Sequence, residues 1–274
     1  MQVWANGRLL DHPDEPVLSI LDHGFTVGDG VFEAIKVVDN VPFALTRHLR
    51  RMLRSAAGLG LLAPDPDVVR RAITAVLDAE RIDLGRLRVT WTAGPSPLGS
   101  GRDPAGEPTL VVASAAMQPF EPSVAIVTVP WPRNEKGALA GLKTTSYAEN
   151  VVALARAHER GASEAIFANT AGHLCEGTGS NVFYVVDGEL RTPTLESGCL
   201  AGISRELLLE WMDAVEVDEP VEVLDRAEEM FLVSTTRDVQ AVHTCDGREL
   251  PAPGPVTQKA AEVWAAREPE HSDP

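Results

Sequence analysis

Cysteine is scarce, with three residues in 274, Cys175, Cys199 and Cys245, and no close pair among them. An odd number without short spacing excludes a disulfide framework and a zinc knuckle, so free thiols in a reducing compartment are expected and no metal is. Basic charge is also short: 24 Lys and Arg stand against 40 Asp and Glu, a formal net charge of -16. That balance argues against nucleic acid, whose phosphates need clustered Lys and Arg, and against anionic lipid surfaces. No apolar run approaches the roughly 18 residues of a membrane span. The opening "MQVWANGRLL" has no basic region followed by an apolar one, so the chain is expected in the cytoplasm. No internal repeat is visible.

What is present is a hydrophobic content of 44%, enough for one large domain or two modest ones. Residues 2–10 read as a strand with a turn at "ANG", and "GDGVFEAIKVVDNVPFAL" reads as a hairpin turning at Asp39-Asn40. The helix "TRHLRRMLRSAAGLGL" places Leu49, Met52, Leu53 and Ala56 on one face, with Thr46 as its expected cap and Gly58 or Gly60 as its stop. A second helix, "DPDVVRRAITAVLDAE", precedes two strands, "GRLRVTWTAG" and "PTLVVASAAM", joined by a Gly- and Pro-rich loop from Pro95 to Pro108. Two prolines in "QPFEP" suit neither a central strand nor a helix, which marks 118–122 as a linker. The expected division is 1–117, the linker, and 123–274. The second part alternates strands and helices, and its tail from Pro251 is expected to hold one short helix and a frayed polar end.

One of only four lysines, Lys143, stands in "GLKTTSYAENVVALARA". From Tyr147 onward, Val151, Leu154 and Ala155 at helical spacing predict an amphipathic helix, which puts Lys143 just before its N-terminus. The helix dipole disfavours a cation there by a few tenths to about 1 kcal/mol. Such a lysine either snorkels to solvent or gives up its proton readily, as a Schiff-base nucleophile must. In "CEGTGSNVF" Glu176 enters a small-residue turn, where it either closes the turn or offers a carboxylate to a pyridine nitrogen. "LAGISRELLLE" is a glycine turn into a helix in which Ser204 is an ordinary cap or, with Gly202, part of a phosphate-binding helix start. "VSTTRDV" ends a strand in Ser234, Thr235 and Thr236, and Arg47, Arg50, Arg51 and Arg54 line the first helix. An amine, an acid, a helix start, hydroxyls and an arginine are together what pyridoxal phosphate requires, although none is diagnostic singly.

The order "GDGVFEAIKV", "RHLRRMLRSA", "LKTTSYAENVVALARA", "EAIFANTAGHLCEGTGSNVF", "LAGISRELL" and "STTRDV" resembles the class IV aminotransferases, the fold-type IV pyridoxal-phosphate enzymes, over about residues 3–250. The resemblance implies a small α/β domain, a linker and a larger domain with a barrel-like sheet, assembled as a homodimer whose active sites draw on both subunits. It implies that Lys143 forms the Schiff base with pyridoxal 5'-phosphate and moves the proton, and that Glu176 pairs with the pyridine nitrogen. Arg51, Ile203, Ser204 and Thr235 would bind the phosphate, with Gly202 and Thr236 beside them. Tyr147 would bond the phenolic oxygen, Asn181 matches the motif asparagine, and Phe32 lines the substrate pocket. The implied reaction moves an amino group from a D-amino acid or (R)-amine to a 2-oxo acid. Family members that eliminate pyruvate from 4-amino-4-deoxychorismate, and branched-chain aminotransferases, are the alternatives. D-amino acid transaminases carry Arg-x-His where this chain has Leu98 and Ser100. A desolvated substrate carboxylate needs a cationic or multi-donor partner, so either another arginine supplies it, Arg102 in the same loop being one candidate, or the preferred substrate binds differently.

Overall fold

The computed structural model describes residues 1–274, and the chain divides into two compact units. The first comprises Met1–Pro119, Leu142–Tyr147 and Ser272–Pro274; the second comprises Phe120–Gly141 and Ala148–His271.

In the first unit Asn6 and Gly7 reverse the chain at positive φ (45° and 100°), so that β1 (Gln2–Ala5) folds back on β2 (Arg8–Leu9). The short α1 (His23–Thr26) follows, and Asp39-Asn40, at φ 49° and 69°, then joins β3 (Gly30–Val38) to β4 (Val41–Pro42). Asparagine and aspartate tolerate this left-handed region, and paired positive φ values match the twist of a hairpin. Next come α2 (Leu45–Gly58) and α3 (Pro66–Ala79), the latter begun by Asp65, whose side chain accepts from the Asp67 N–H, and by Pro66 in its first turn. β5 (Leu84–Thr92) and β6 (Thr109–Ala116) complete an antiparallel sheet in the order β2-β1-β6-β5-β3-β4. Leu49 and Met52 of α2 and Ile73 and Val76 of α3 pack with Val31, Ile35, Leu87 and Val89 on one face of that sheet.

Two details of α2 differ from expectation. Its N-cap is Ala44, at φ 53°, which has no side chain to offer. The acceptor comes from the tail: Asp273 takes hydrogen bonds from the Thr46 N–H (2.7 Å) and hydroxyl (2.5 Å), while Ser272 O accepts from Ala44 N. The expected frayed end is therefore docked. In addition, the buried face of α2 includes His48, Arg51 and Ser55, while Leu53 is only partly covered.

The second unit holds a nine-stranded sheet ordered β12-β11-β10-β13-β14-β7-β8-β9, with β15 paired to β14. In chain order its elements are β7 (Ser123–Thr128), α4 (Ala148–Glu159), β8 (Glu164–Ala168), β9 (Leu174–Gly177), β10 (Asn181–Val186) and β11 (Glu189–Pro193). There follow α5 (Ile203–Trp211), β12 (Val215–Val217), β13 (Glu229–Ser234), β14 (Asp238–Cys245), β15 (Arg248–Glu249) and α6 (Pro255–Glu270). β10 is buried at all six positions, which explains the unbroken apolar run that follows Asn181. The helix α4 inverts the expected stripe: Asn150, Ala153 and Ala157 are buried, whereas Val151 and Val152 are exposed. The tail helix α6 is sixteen residues long rather than short. All three cysteines are free and buried, and no helix is long and apolar enough to cross a membrane.

Candidate active site

The lysine is held by a strand edge. β4 pairs with β3 only at Val37 and Val38, and at the other end of that edge the extended segment 143–145 takes its place. Phe32 N donates to Lys143 O (3.1 Å), Thr145 N donates to Gly30 O (2.8 Å), and Thr144 bridges Val31. Lys143 N also donates to Ser55 Oγ of α2 at 3.1 Å. The Lys143 backbone is thereby fixed on both sides, and its half-buried side chain reaches the Phe32 ring, with Nζ 4.4 Å from the centroid. Tyr147 meets Phe32 edge-on at 5.2 Å and 80°. Arg88 places its guanidinium carbon 3.9 Å from the centroid of the same ring.

Strand alternation puts Arg88 there. Leu87 and Val89 of β5 enter the core, so Arg86 and Arg88 project from the other face, alongside Phe32 and Ala34 of β3. No acidic side chain pairs with Arg88. Arg102, by contrast, is fully engaged: Nε and Nη2 donate to Asp29 at 2.6 Å each, and the two terminal nitrogens reach Gly60 O and Leu59 O. It serves to anchor its loop.

Behind the lysine segment lies a buried charged cluster. Arg51 grips Glu33 with two bonds, Nε to Oε1 (2.9 Å) and Nη2 to Oε2 (2.6 Å), and His48 Nδ1 sits 2.7 Å from Oε2. Burial opposes the Glu33 charge most strongly, but the Arg51 charge and the bonds from Arg51 and His48 outweigh it and hold its pKa at about 2. Burial lowers the pKa of His48, and the nearby charges of Arg51 and Lys143 act in the same direction. A neutral His48 then donates through Nδ1 to the carboxylate.

In the second unit, Glu176 lies on β9 opposite Phe167 of β8, its Oε2 accepting from Leu200 N (2.9 Å) and its Oε1 3.3 Å from Arg133 Nε. Arg133 stacks on Phe167 at 4.1 Å and donates to Glu149 and Asn150, so the carboxylate has a rigid cationic neighbour. Leu200 links further residues, because its carbonyl accepts from Asn181 Nδ2 at 2.9 Å. Gly202 must be glycine for steric reasons, since a Cβ there would lie 2.0 Å from Asn181 Oδ1. Gly202, not Ser204, is the N-cap of α5, and a glycine brings no capping side chain of its own. Ile203 and Ser204 are buried in its first turn. Thr235 and Thr236 are half-buried in the turn between β13 and β14, beside Asn181 because β10 pairs with β13 as Asn181 to Val233. A helix start at a glycine, a run of hydroxyls and an anchored carboxylate form a donor and acceptor set that fits a phosphorylated pyridine. The structure thus gathers Lys143, Phe32 and Tyr147 in one unit and Glu176, Asn181, Gly202, Ile203, Ser204, Thr235 and Thr236 in the other. Glu33, Arg88 and Arg133 were not singled out in the sequence; for Arg88 the alternation of "RLRV" is a usable signal.

The family described as amino-transferase class IV matches residues 30–245. The bifunctional aminodeoxychorismate lyase / D-amino acid transaminase of Mycobacterium tuberculosis is 30% identical, over 96% of this chain and 97% of its own. A branched-chain aminotransferase of Thermoproteus uzoniensis, crystallised with norvaline, superposes with a TM-score of 0.89 at 30% identity, covering 97% of this chain and 93% of its own. A protein described as a hypothetical aminotransferase from Mycobacterium tuberculosis, in PLP-bound form, gives 0.85 at 29%, covering 97% of this chain and 98% of its own. The chain belongs to the class IV aminotransferases, a family of enzymes that work with pyridoxal 5'-phosphate.

Proposed function

We propose that this enzyme transfers the amino group of a D-amino acid to a 2-oxo acid, with Arg88 binding the substrate carboxylate. The observation that carries this is Arg88 stacked 3.9 Å from the Phe32 centroid, on the same ring as Lys143 Nζ, with no acidic partner of its own. A guanidinium left without an anion beside a reactive amine suits a ligand that brings its own carboxylate. That favours an amino acid over a simple (R)-amine. It also moves the role first given to Arg102, whose donors are taken by Asp29 and two carbonyls. The D configuration draws support from the Mycobacterium tuberculosis relative named for D-amino acid transamination.

Pyridoxal phosphate, when bound, supplies an aldehyde for the substrate amine and a ring that withdraws electrons. Lys143 is the amine that would hold it and the base that would move a proton at the substrate Cα. Phe32 and Tyr147 would orient the reacting groups and exclude water. Glu176, fixed by Leu200 N and Arg133, would face the ring nitrogen, and Tyr147 the phenolic oxygen. The Ile203 and Ser204 amides, with Thr235, Thr236 and Arg51, would take the phosphate, and Asn181 would hold the loop before α5 against Gly202. Arg51 enters through its motif position, its grip on Glu33 being its role within the first unit. A homodimer in the cytoplasm completes the proposal, and 118–122 is its linker.

A second reading has support from Arg86, two residues from Arg88 on the same face of β5. Two guanidiniums suit a substrate with two carboxylates, such as 4-amino-4-deoxychorismate, and the lyase activity is named in the same relative. The holoenzyme incubated with 2-oxoglutarate and either D-alanine or L-leucine, and separately with aminodeoxychorismate, decides among these. Pyruvate and D-glutamate from D-alanine are expected. Turnover of L-leucine alone, or 4-aminobenzoate formation with inertness to amino acids, would replace the proposal. Arg88→Gln is expected to raise KM for donor and acceptor by about tenfold to a hundredfold, the size of one lost charge-assisted hydrogen bond, with cofactor content unchanged.

A further inference from the structure

Glu164, the first residue of β8, is completely buried. A carboxylate out of water persists only when its oxygens are bonded. Its Oε1 accepts from the Ala165 and Thr178 N–H groups (3.1 and 3.0 Å) and from the Thr178 hydroxyl; its Oε2 accepts from Ser180 Oγ and Arg237 Nη2 at 3.1 Å each. Three of these five donors belong to the turn 177–180, so that Gly-Thr-Gly-Ser loop is wrapped around one carboxylate. The fifth comes from another loop. Arg237 closes the turn between β13 and β14, its N–H donating to Ser234 O at 3.1 Å, and its side chain runs inward to Glu164. Its other terminal nitrogen donates to Gln240 at 2.6 Å, and its guanidinium lies 5.0 Å from the Phe120 ring. The pairing of Asn181 with Val233 places the two turns at the same end of adjacent strands. One follows Glu176; the other carries Thr235 and Thr236.

Neither Glu164 nor Arg237 is among the groups assigned to the cofactor. Their bonds end on the loops that present those groups. A turn with two glycines has little conformational preference of its own, and hydroxyls on a turn place a phosphate well only if the turn is fixed. We propose that Arg237 and Glu164 are positioning residues for cofactor binding, their part-buried ion pair holding the turn after Glu176 in register with the Thr235-Thr236 turn. This rests on the cofactor placement given above.

The test uses Arg237→Met and the charge-balanced double variant Glu164→Gln/Arg237→Met, with Thr235→Val as a control for the placement itself. Pyridoxal phosphate is titrated into each apoenzyme by absorbance. Its dissociation rate, turnover at saturating cofactor and apoenzyme Tm are measured alongside. Both variants are expected to bind the cofactor roughly tenfold to a hundredfold more weakly, as lost supporting contacts do at other sites, while the double variant keeps an apoenzyme Tm close to wild type and recovers turnover in excess cofactor. A lowered Tm with unchanged affinity would assign the pair a purely structural role and overturn the proposal, as would failure of both variants to fold. Unchanged affinity in Thr235→Val would instead overturn the cofactor placement on which it rests.

Discussion

At the scale of single residues, Gly202 is the tightest point of the candidate site. Its φ of -68° is open to any residue, so the demand for glycine is steric and comes from Asn181 Oδ1. Gly202→Ala is expected to displace Asn181 from Leu200 O, lower stability by about 1–3 kcal/mol as overpacking does, and weaken cofactor binding in the same titration. Denaturant melts with and without cofactor separate the two effects. The glycine turn in "LAGIS" is legible in the sequence, but the reason for the glycine is not, because Asn181 lies 21 positions away. Arginine roles are the least legible of all. Arg88 and Arg102 look alike in the chain, and what distinguishes them is Asp29, whose approach to Arg102 depends on how the loop after β5 folds.

At the scale of elements, helices and turns that declare themselves chemically are read well. Asp65-Pro66 starts α3 and Asp39-Asn40 turns the first hairpin because cap and left-handed preferences are local. Periodicity fails where the buried face is polar or small. On α2 it picks Leu53 and passes over His48 and Arg51, and on α4 it picks Val151 over Asn150 and Ala153. The buried cluster on α2 has a consequence for acid stability. Glu33, held at about 2 against a usual 4.5, and His48, lowered from 6.5, both have folded-state values below their unfolded ones. The unfolded chain therefore binds more protons in acid, and stability falls as pH falls. The decline is expected to start below the usual histidine value of 6.5 and to continue from 4.5 towards about 2 as Glu33 takes up its proton. Urea unfolding followed across this range should show both stages in wild type, and His48→Gln should abolish the upper one while leaving the lower.

For the whole molecule, the barrel-like second sheet and the α/β first unit follow the expected class, and the long-range features depart from what a linear reading allows. The tail is the clearest case, since the cap of α2 comes from Asp273, 227 positions along the chain from the Thr46 it accepts from. Exposed apolar side chains carry the prediction at this scale. Leu18, Ile20, Phe25 and Val27 are 50%, 73%, 66% and 45% exposed within ten residues of one another, which makes this segment the expected interface of the proposed homodimer. The proposed homodimer should elute at twice the 29.4 kDa chain mass in light scattering, and Ile20→Asp/Phe25→Asp should shift it to monomer with loss of turnover. Last, residues 142–147 are carried by the first unit although the chain on either side of them belongs to the second. Chimeras cut at the proposed linker would consequently graft the proposed Schiff-base lysine onto a foreign sheet edge, and a workable exchange has to move that hexapeptide together with residues 1–119.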